Sequence, residues 1–175
     1  MLDEFTTGEP PVPHRTGEKH FTASALIADG DGRFLLHFHS KLTMWLYPGG
    51  HVEPNEEPQD AVRREVLEEA NIDVDVLSCG QERQVALQLE PRSVAELPVP
   101  LSLLCERIPG ASGEHHWHMD LVYLCQKRGA QTPAAGFEWL TVEEVSALAC
   151  PRELPSLMQR GLAVLSGRLS EPGSG

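Results

Sequence analysis

Residues 50–72 read GHVEPNEEPQDAVRREVLEEANI. The last nine of them, REVLEEANI (64–72), place three carboxylates, Glu65, Glu68 and Glu69, within five positions. The segment reads as a helix from Pro58, a residue that suits the first helical turn. Glu56, Glu57 and Asp60 lie at its N-terminal end, where the helix dipole favours acids. Ala61, Val62, Val66 and Ala70 recur at helical spacing and form an apolar stripe. Glu65, Glu68 and Glu69 fall roughly opposite that stripe, and like charges so spaced cost a few tenths of a kcal/mol per pair. Between Glu56 and Glu69 six acids meet two arginines, Arg63 and Arg64. Such a face is either a solvated surface or the cradle of a hard cation. Mg²⁺ prefers carboxylate oxygens and water, and substrate phosphates commonly complete its shell.

Spacing separates the two readings. Gly50 is followed by five residues, Glu56, seven residues, and then Arg64-Glu65-Val66-Leu67-Glu68-Glu69-Ala70-Asn71-Ile72. Six fixed residues in that register arise by chance roughly once in 10⁷ starting positions at ordinary amino-acid frequencies. The pattern resembles the Nudix box: Gly, five residues, Glu, seven residues, Arg-Glu-apolar-any-Glu-Glu-any-Gly-apolar. Asn71 replaces the last Gly. Asn is the common second choice where a chain leaves a helix left-handed, so the carboxylates are untouched by the change. WLYPGGHVEP (45–54) before the box and FEWLTVEEVSAL (137–148) near the C-terminus extend the resemblance over roughly residues 20–150.

The resemblance implies an α/β fold, a Nudix-like α/β/α sandwich with a mixed sheet. It implies an enzyme, a pyrophosphohydrolase acting on phosphoric anhydrides, with Mg²⁺ or Mn²⁺ as cofactor. Carried over by position, Glu65 and Glu69 would bind the metal, Glu68 would bind it directly or through water, and Glu56 would assist. The Gly50 carbonyl would contribute a ligand, and Arg64 would orient a box glutamate by a charge-assisted hydrogen bond. Glu65, Glu69 and Arg64 are thus the expected catalytic residues. A carboxylate must take the proton of the attacking water. Glu65 or Glu69 is the first expectation for that base, and Glu114, in a loop, the second.

Elsewhere, residues 1–19 (polar and Pro-rich) read as an arm, and 20–170 as a single domain. HFTASALIAD (20–29), a GDG turn and RFLLHFHS (33–40) make a hairpin. MWLYPGG (44–50) is expected to end in a Pro-Gly-Gly turn. Strands are expected over 72–79, 99–108 and 115–127, with a turn at 109–114 between the last two. Residues 80–98 read as a strand ending near Pro91, then a loop. A short strand and helix follow over 137–148, the helix capped by Thr141 with Glu144 three residues on. A second helix spans 154–169.

Histidines recur on the strands. In HHWHMD (115–120), His116, His118 and Asp120 share one face, and His37 and His39 share a face in LLHFHS. His51 follows the Gly-Gly pair. His37, His39, His116 and His118 are expected substrate-binding residues. Hydrogen-bonded strand histidines and a separate metal site, for which His, His and Asp are suitable zinc ligands, are the other readings. Trp45 offers a stacking surface for a nucleobase, or else packs in the core.

Composition bounds the partners. The 175 residues carry 26 acids against 14 bases, a net charge of −12. That field disfavours nucleic-acid polymers and anionic membranes, yet a divalent cation can bridge it to a small phosphate compound. The expected partner is a small-molecule diphosphate substrate, and the chain a monomer or homodimer. Cys79, Cys105, Cys125 and Cys150 form no close pair and read as reduced thiols of a cytoplasmic protein. No signal peptide is evident and no apolar run is long enough to span a bilayer.

The substrate is expected to be a nucleoside diphosphate linked to another moiety. Family members acting on ADP-ribose or dinucleoside polyphosphates tend to show a Pro or a Tyr downstream of the box, and QVALQL (84–89) has neither. Two alternatives belong to other classes. An isomerase of isopentenyl-diphosphate type needs a cysteine ahead of the box, whereas the first here is Cys79. Non-catalytic Nudix-like sensing modules often lose box glutamates, and all four are present here.

Overall fold

The structure, a computed structural model, describes residues 17–80, 95–109 and 115–167. The expected arm lies almost wholly outside these residues, as do Glu114 and most of the stretch 80–98.

Among the described residues, eight strands and three helices run in the order β1 (Lys19–Ala28), β2 (Phe34–His39), β3 (Met44–Leu46), β4 (Gly49–His51), α1 (Pro58–Ala70), β5 (Asp73–Leu77), β6 (Ser102–Pro109), β7 (His115–Arg128), β8 (Phe137–Leu140), α2 (Val142–Ser146) and α3 (Leu154–Leu165). They form one mixed sheet in the order β3-β2-β1-β7-β5, with β4 added on β1, β6 on β7 and β8 on β2. The β1–β7 pair is parallel, from Lys19 opposite Trp117 to Ala28 opposite Gln126. The other described pairings are antiparallel.

The middle of β1 is a near-continuous small and apolar run because both its faces are covered. Ala23, Ala25 and Ile27 pack with Tyr123, Cys125 and the α1 residues Ala61, Val62, Val66 and Ala70. Leu26 and Ala28 turn the other way, onto Val122, Leu124 and the helical residues Val145, Leu154, Leu157 and Met158. Helices therefore cover both sides of the sheet, in the α/β/α layering expected. The predicted stripe of α1 is fully buried, and burying Val62 or Val66 contributes about 1.5–3 kcal/mol each.

The ends of α1 follow their local chemistry. Pro58 opens the helix, and Asn71 closes it at φ 54°, ψ 37°, its N–H donating to the Leu67 carbonyl. Thr141 and Glu144 form the reciprocal capping box that their spacing predicts.

One expectation fails locally. Gly49 and Gly50 do not make a turn; they lie in β4, paired with Ser24 and Ala23 of β1. Close approach, not a turn, requires them to be glycine. A Cβ on Gly49 would sit 2.7 Å from the Ser24 Cα, and one on Gly50 would sit 2.2 Å from the Glu65 Oε1.

Candidate active site

The box converges on one guanidinium. The Arg64 Nε and Nη2 donate to the Glu56 Oε1 and Oε2, both at 2.9 Å. Its Nη1 donates to the Glu65 Oε1 at 2.7 Å and to the Glu68 Oε2 at 3.4 Å. Nη2 also donates to the His51 carbonyl at 2.9 Å, tying the helix to β4. Arg63 is turned aside to Asp60 on the exposed surface. The hydrogen bonds from Arg64 are the main reason that Glu56 stays below the usual carboxylate range.

Glu69 is held differently. Its Oε2 accepts from the Gly49 N–H at 3.2 Å. Although Glu69 is solvent-exposed, the walls around it remove part of its hydration, and Glu65 and Glu68 add like charge. The net effect raises its affinity for a proton, against the opposing Gly49 N–H and His39. Three carboxylates thus share one guanidinium, with Glu69 beside them, and Gly50 gives the Glu65 carboxylate room against the backbone of β4. This donor set fits a hard divalent cation, which Glu65, Glu68 and Glu69 would hold with the help of the Gly50 backbone and Glu56.

Glu69 and Gly50 face a cavity of about 860 Å³, a size suited to a small molecule. His37 and His39 line it from β2. Burial and His39 lower the proton affinity of His37, which also stacks on Phe137 at 4.9 Å. His118 lines the cavity too, and burial followed by His51, His116 and His20 pushes it down to about 4. These two rings therefore act as neutral hydrogen-bonding groups at neutral pH. His116 and Trp45 are not among the described lining residues. His116 lies beside His118, Nε2 to Nε2 at 3.1 Å. Trp45 packs on the core, edge-on to Phe38 at 6.0 Å.

The inner wall was not foreseen. Asp120 is 2% exposed and accepts from the Thr22 Oγ1 at 2.9 Å and the Ser24 Oγ at 2.8 Å. It therefore does not join His116 and His118 as a ligand trio. Beside it, burial, Asp120 and Glu153 push Glu106 up to about 7. Tyr47 lines the same region and its hydroxyl is raised, chiefly by burial. These groups come from β1, β6, β7 and the β3–β4 link, so no single motif could have announced them.

The comparisons with known proteins agree with this geometry. The model of the NUDIX domain matches residues 18–159. The chain belongs to the Nudix family. This Nudix chain is thus a pyrophosphohydrolase of that type. Among solved structures it is similar to a NUDIX-family hydrolase from Clostridium perfringens, 28% identical, covering 85% of this chain and 99% of that one with a TM-score of 0.64. It shares the fold of a C. elegans Ap4A hydrolase at 21% identity, 83% and 98% coverage and a TM-score of 0.57. A UDP-X diphosphatase is 15% identical, with 89% and 66% coverage and a TM-score of 0.55. A search of curated proteins by sequence found no match. No described helix is long and apolar enough to cross a membrane.

Proposed function

We propose that this Nudix hydrolase uses Mg²⁺ or Mn²⁺ to cleave the diphosphate bond of a nucleoside diphosphate linked to another moiety. The observation that carries the reading is the set of three carboxylates on Arg64, with a fourth, Glu69, beside them and opening into the cavity. The cavity wall itself carries Glu69, Glu106, Asp120 and Glu153 against Arg107. A diphosphate would be repelled there without added cations. Bound metal supplies that neutralisation and polarises the phosphoryl group.

The chain's own residues do the rest. Arg64 fixes Glu56 and Glu65 from two sides and fastens α1 to β4. Glu69 lies on the cavity with a raised proton affinity, so it is the better placed of the two box candidates to take the proton of the attacking water. Glu65 is committed to Arg64 at 2.7 Å. An acceptor on the inner wall, Glu106, suits the N–H groups of a nucleobase. Two relatives of the same fold are named for Ap4A and for UDP-X.

The test is a product-release screen over nucleotides, nucleotide sugars, coenzymes and dinucleoside polyphosphates, with Mg²⁺, with Mn²⁺ and with EDTA. Turnover that needs the metal and selects a nucleotide compound is expected. Turnover that EDTA leaves intact, or tight binding with no turnover, would sink the reading.

A further inference from the structure

The parallel register of β1 and β7 sets His20 directly opposite His118. Because side chains alternate along a strand, His116 lies on the same face, one pleat away. β4 brings in His51 through its pairing with Thr22. Four imidazoles from three strands therefore meet. Ring centroids are 5.1 Å apart for His20–His116, 5.2 Å for His20–His51, 4.9 Å for His51–His118 and 5.0 Å for His116–His118.

Their nitrogens already stand at ligand spacing. Ligands about 2.0–2.1 Å from a tetrahedral zinc lie about 3.4 Å from one another. The His116 and His118 Nε2 atoms are 3.1 Å apart, and the His20 Nδ1 is 3.2 Å from the His51 Nε2. One nitrogen from each of His20, His116 and His118 can be taken so that all lie within 4.8 Å of one another. The Glu18 carboxylate lies 3.3 Å from the His20 Nε2, which leaves Nδ1 turned toward the other rings. A carboxylate on the far nitrogen of a ligating histidine is the usual way a protein fixes that ring for a metal.

We propose that His20, His116 and His118, with His51 packed beside them, form a binding site for a borderline-soft divalent metal such as Zn²⁺ or Co²⁺, separate from the box carboxylates. Imidazole nitrogen selects such ions, whereas Mg²⁺ demands oxygen. The two clusters meet at β4: Gly50 packs against Glu65, and His51, the next residue, faces the imidazoles. His118 and His51 also line the cavity, so a metal held here adds positive charge to a wall whose described cation is Arg107.

The experiment titrates the untagged, metal-stripped chain with Co²⁺ in a large excess of Mg²⁺, following the visible absorption of protein-bound cobalt, and then displaces it with Zn²⁺. One equivalent is expected to bind. His20→Asn and His116→Asn should each weaken binding at least about tenfold, with unchanged circular dichroism, while Glu65→Gln and Glu69→Gln leave it intact. In the wild-type chain, which needs no variant to fold, Zn²⁺ should shift the imidazole ¹⁵N resonances of the cluster. Competition by Mg²⁺, or loss of binding in the glutamate variants but not the histidine ones, would return the metal to the box. No absorption band and no imidazole shift would leave only a hydrogen-bonded histidine network, and either result overturns the proposal.

Discussion

Arg64 and Glu56 meet fork to fork, Nε to Oε1 and Nη2 to Oε2, each at 2.9 Å, across eight residues of chain. Such bidentate pairs fix orientation as well as charge. Here the fork joins the loop ahead of α1 to the helix that carries the other box acids.

Arg64→Ala should therefore leave Glu56 and Glu65, whose side chains are 16% and 15% exposed, without their counter-charge. The expected loss is about 1–3 kcal/mol in chelator, since an unpaired, partly buried carboxylate is the costly outcome. Activity should fall by at least about a hundredfold, because the box carboxylates lose their common anchor. Arg64→Lys keeps the charge but not the fork, and should recover stability more than turnover. Urea unfolding beside steady-state rates separates the two effects.

The adjacent glycines should fail in different ways. Gly49→Ala drives a Cβ to 2.7 Å from the Ser24 backbone, so β4 must leave β1 and thermal stability should drop. Gly50→Ala meets first the carboxylate end of the Glu65 side chain. The fold should survive while Mn²⁺ affinity, read by electron paramagnetic resonance, weakens. Equal loss of Tm in both variants would contradict this division.

Glu69→Gln should lower kcat by about 10²–10⁴, the usual share of a positioned acid or base. Its effect on stability has the opposite sign. A carboxyl whose proton affinity is higher folded than unfolded destabilises the fold once pH exceeds the unfolded value. Removing that charge should therefore raise the Tm of the metal-free protein at neutral pH. A Tm that falls instead would show that Glu69 is stabilised as the anion.

Glu106 gives a pH signature by the same rule. Its carboxyl is raised from 4.5 to about 7 by burial, Asp120 and Glu153. Its unfavourable contribution is absent below the unfolded value, grows as pH rises between the two, and is complete above about 7. Tm in chelator should fall over that window, and Glu106→Gln should flatten the fall. An identical profile in the variant would count against the assignment.

Asn71 tests the box's one departure. It sits at φ 54°, where an ordinary side chain costs about 1–2 kcal/mol. Asn71→Ala should destabilise by about 1 kcal/mol and Asn71→Gly by nothing measurable, with kcat unchanged in both. A large activity change in Asn71→Gly would mean that this position touches the chemistry.

What could be read from sequence was what short-range periodicity encodes. The stripe Val62–Val66–Ala70, the left-handed exit at Asn71 and the Thr141–Glu144 cap each depend on neighbours a few residues away. The box register located Arg64 among Glu56, Glu65 and Glu68 because all lie on or beside one helix. Gly49 and Gly50 were misread because a Pro-Gly-Gly string is a turn signal, while close approach across a sheet leaves the same signature. Alternation placed Asp120 on the face of His116 and His118, yet two hydroxyls of β1 claim it. His20 joined the histidine cluster only through the parallel pairing of β1 with β7, which no local pattern announces.

That pairing also dictates when the cavity beside the box can exist. Thr22 and Asp120 are 98 positions apart, and loops of that size close slowly in folding. A nascent chain that has already emitted the whole box still lacks the strand that floors the cavity until β7 has emerged. Fragments ending before His115 should thus carry every box residue and no enzyme activity, and they should be cut readily by proteases that spare the complete domain.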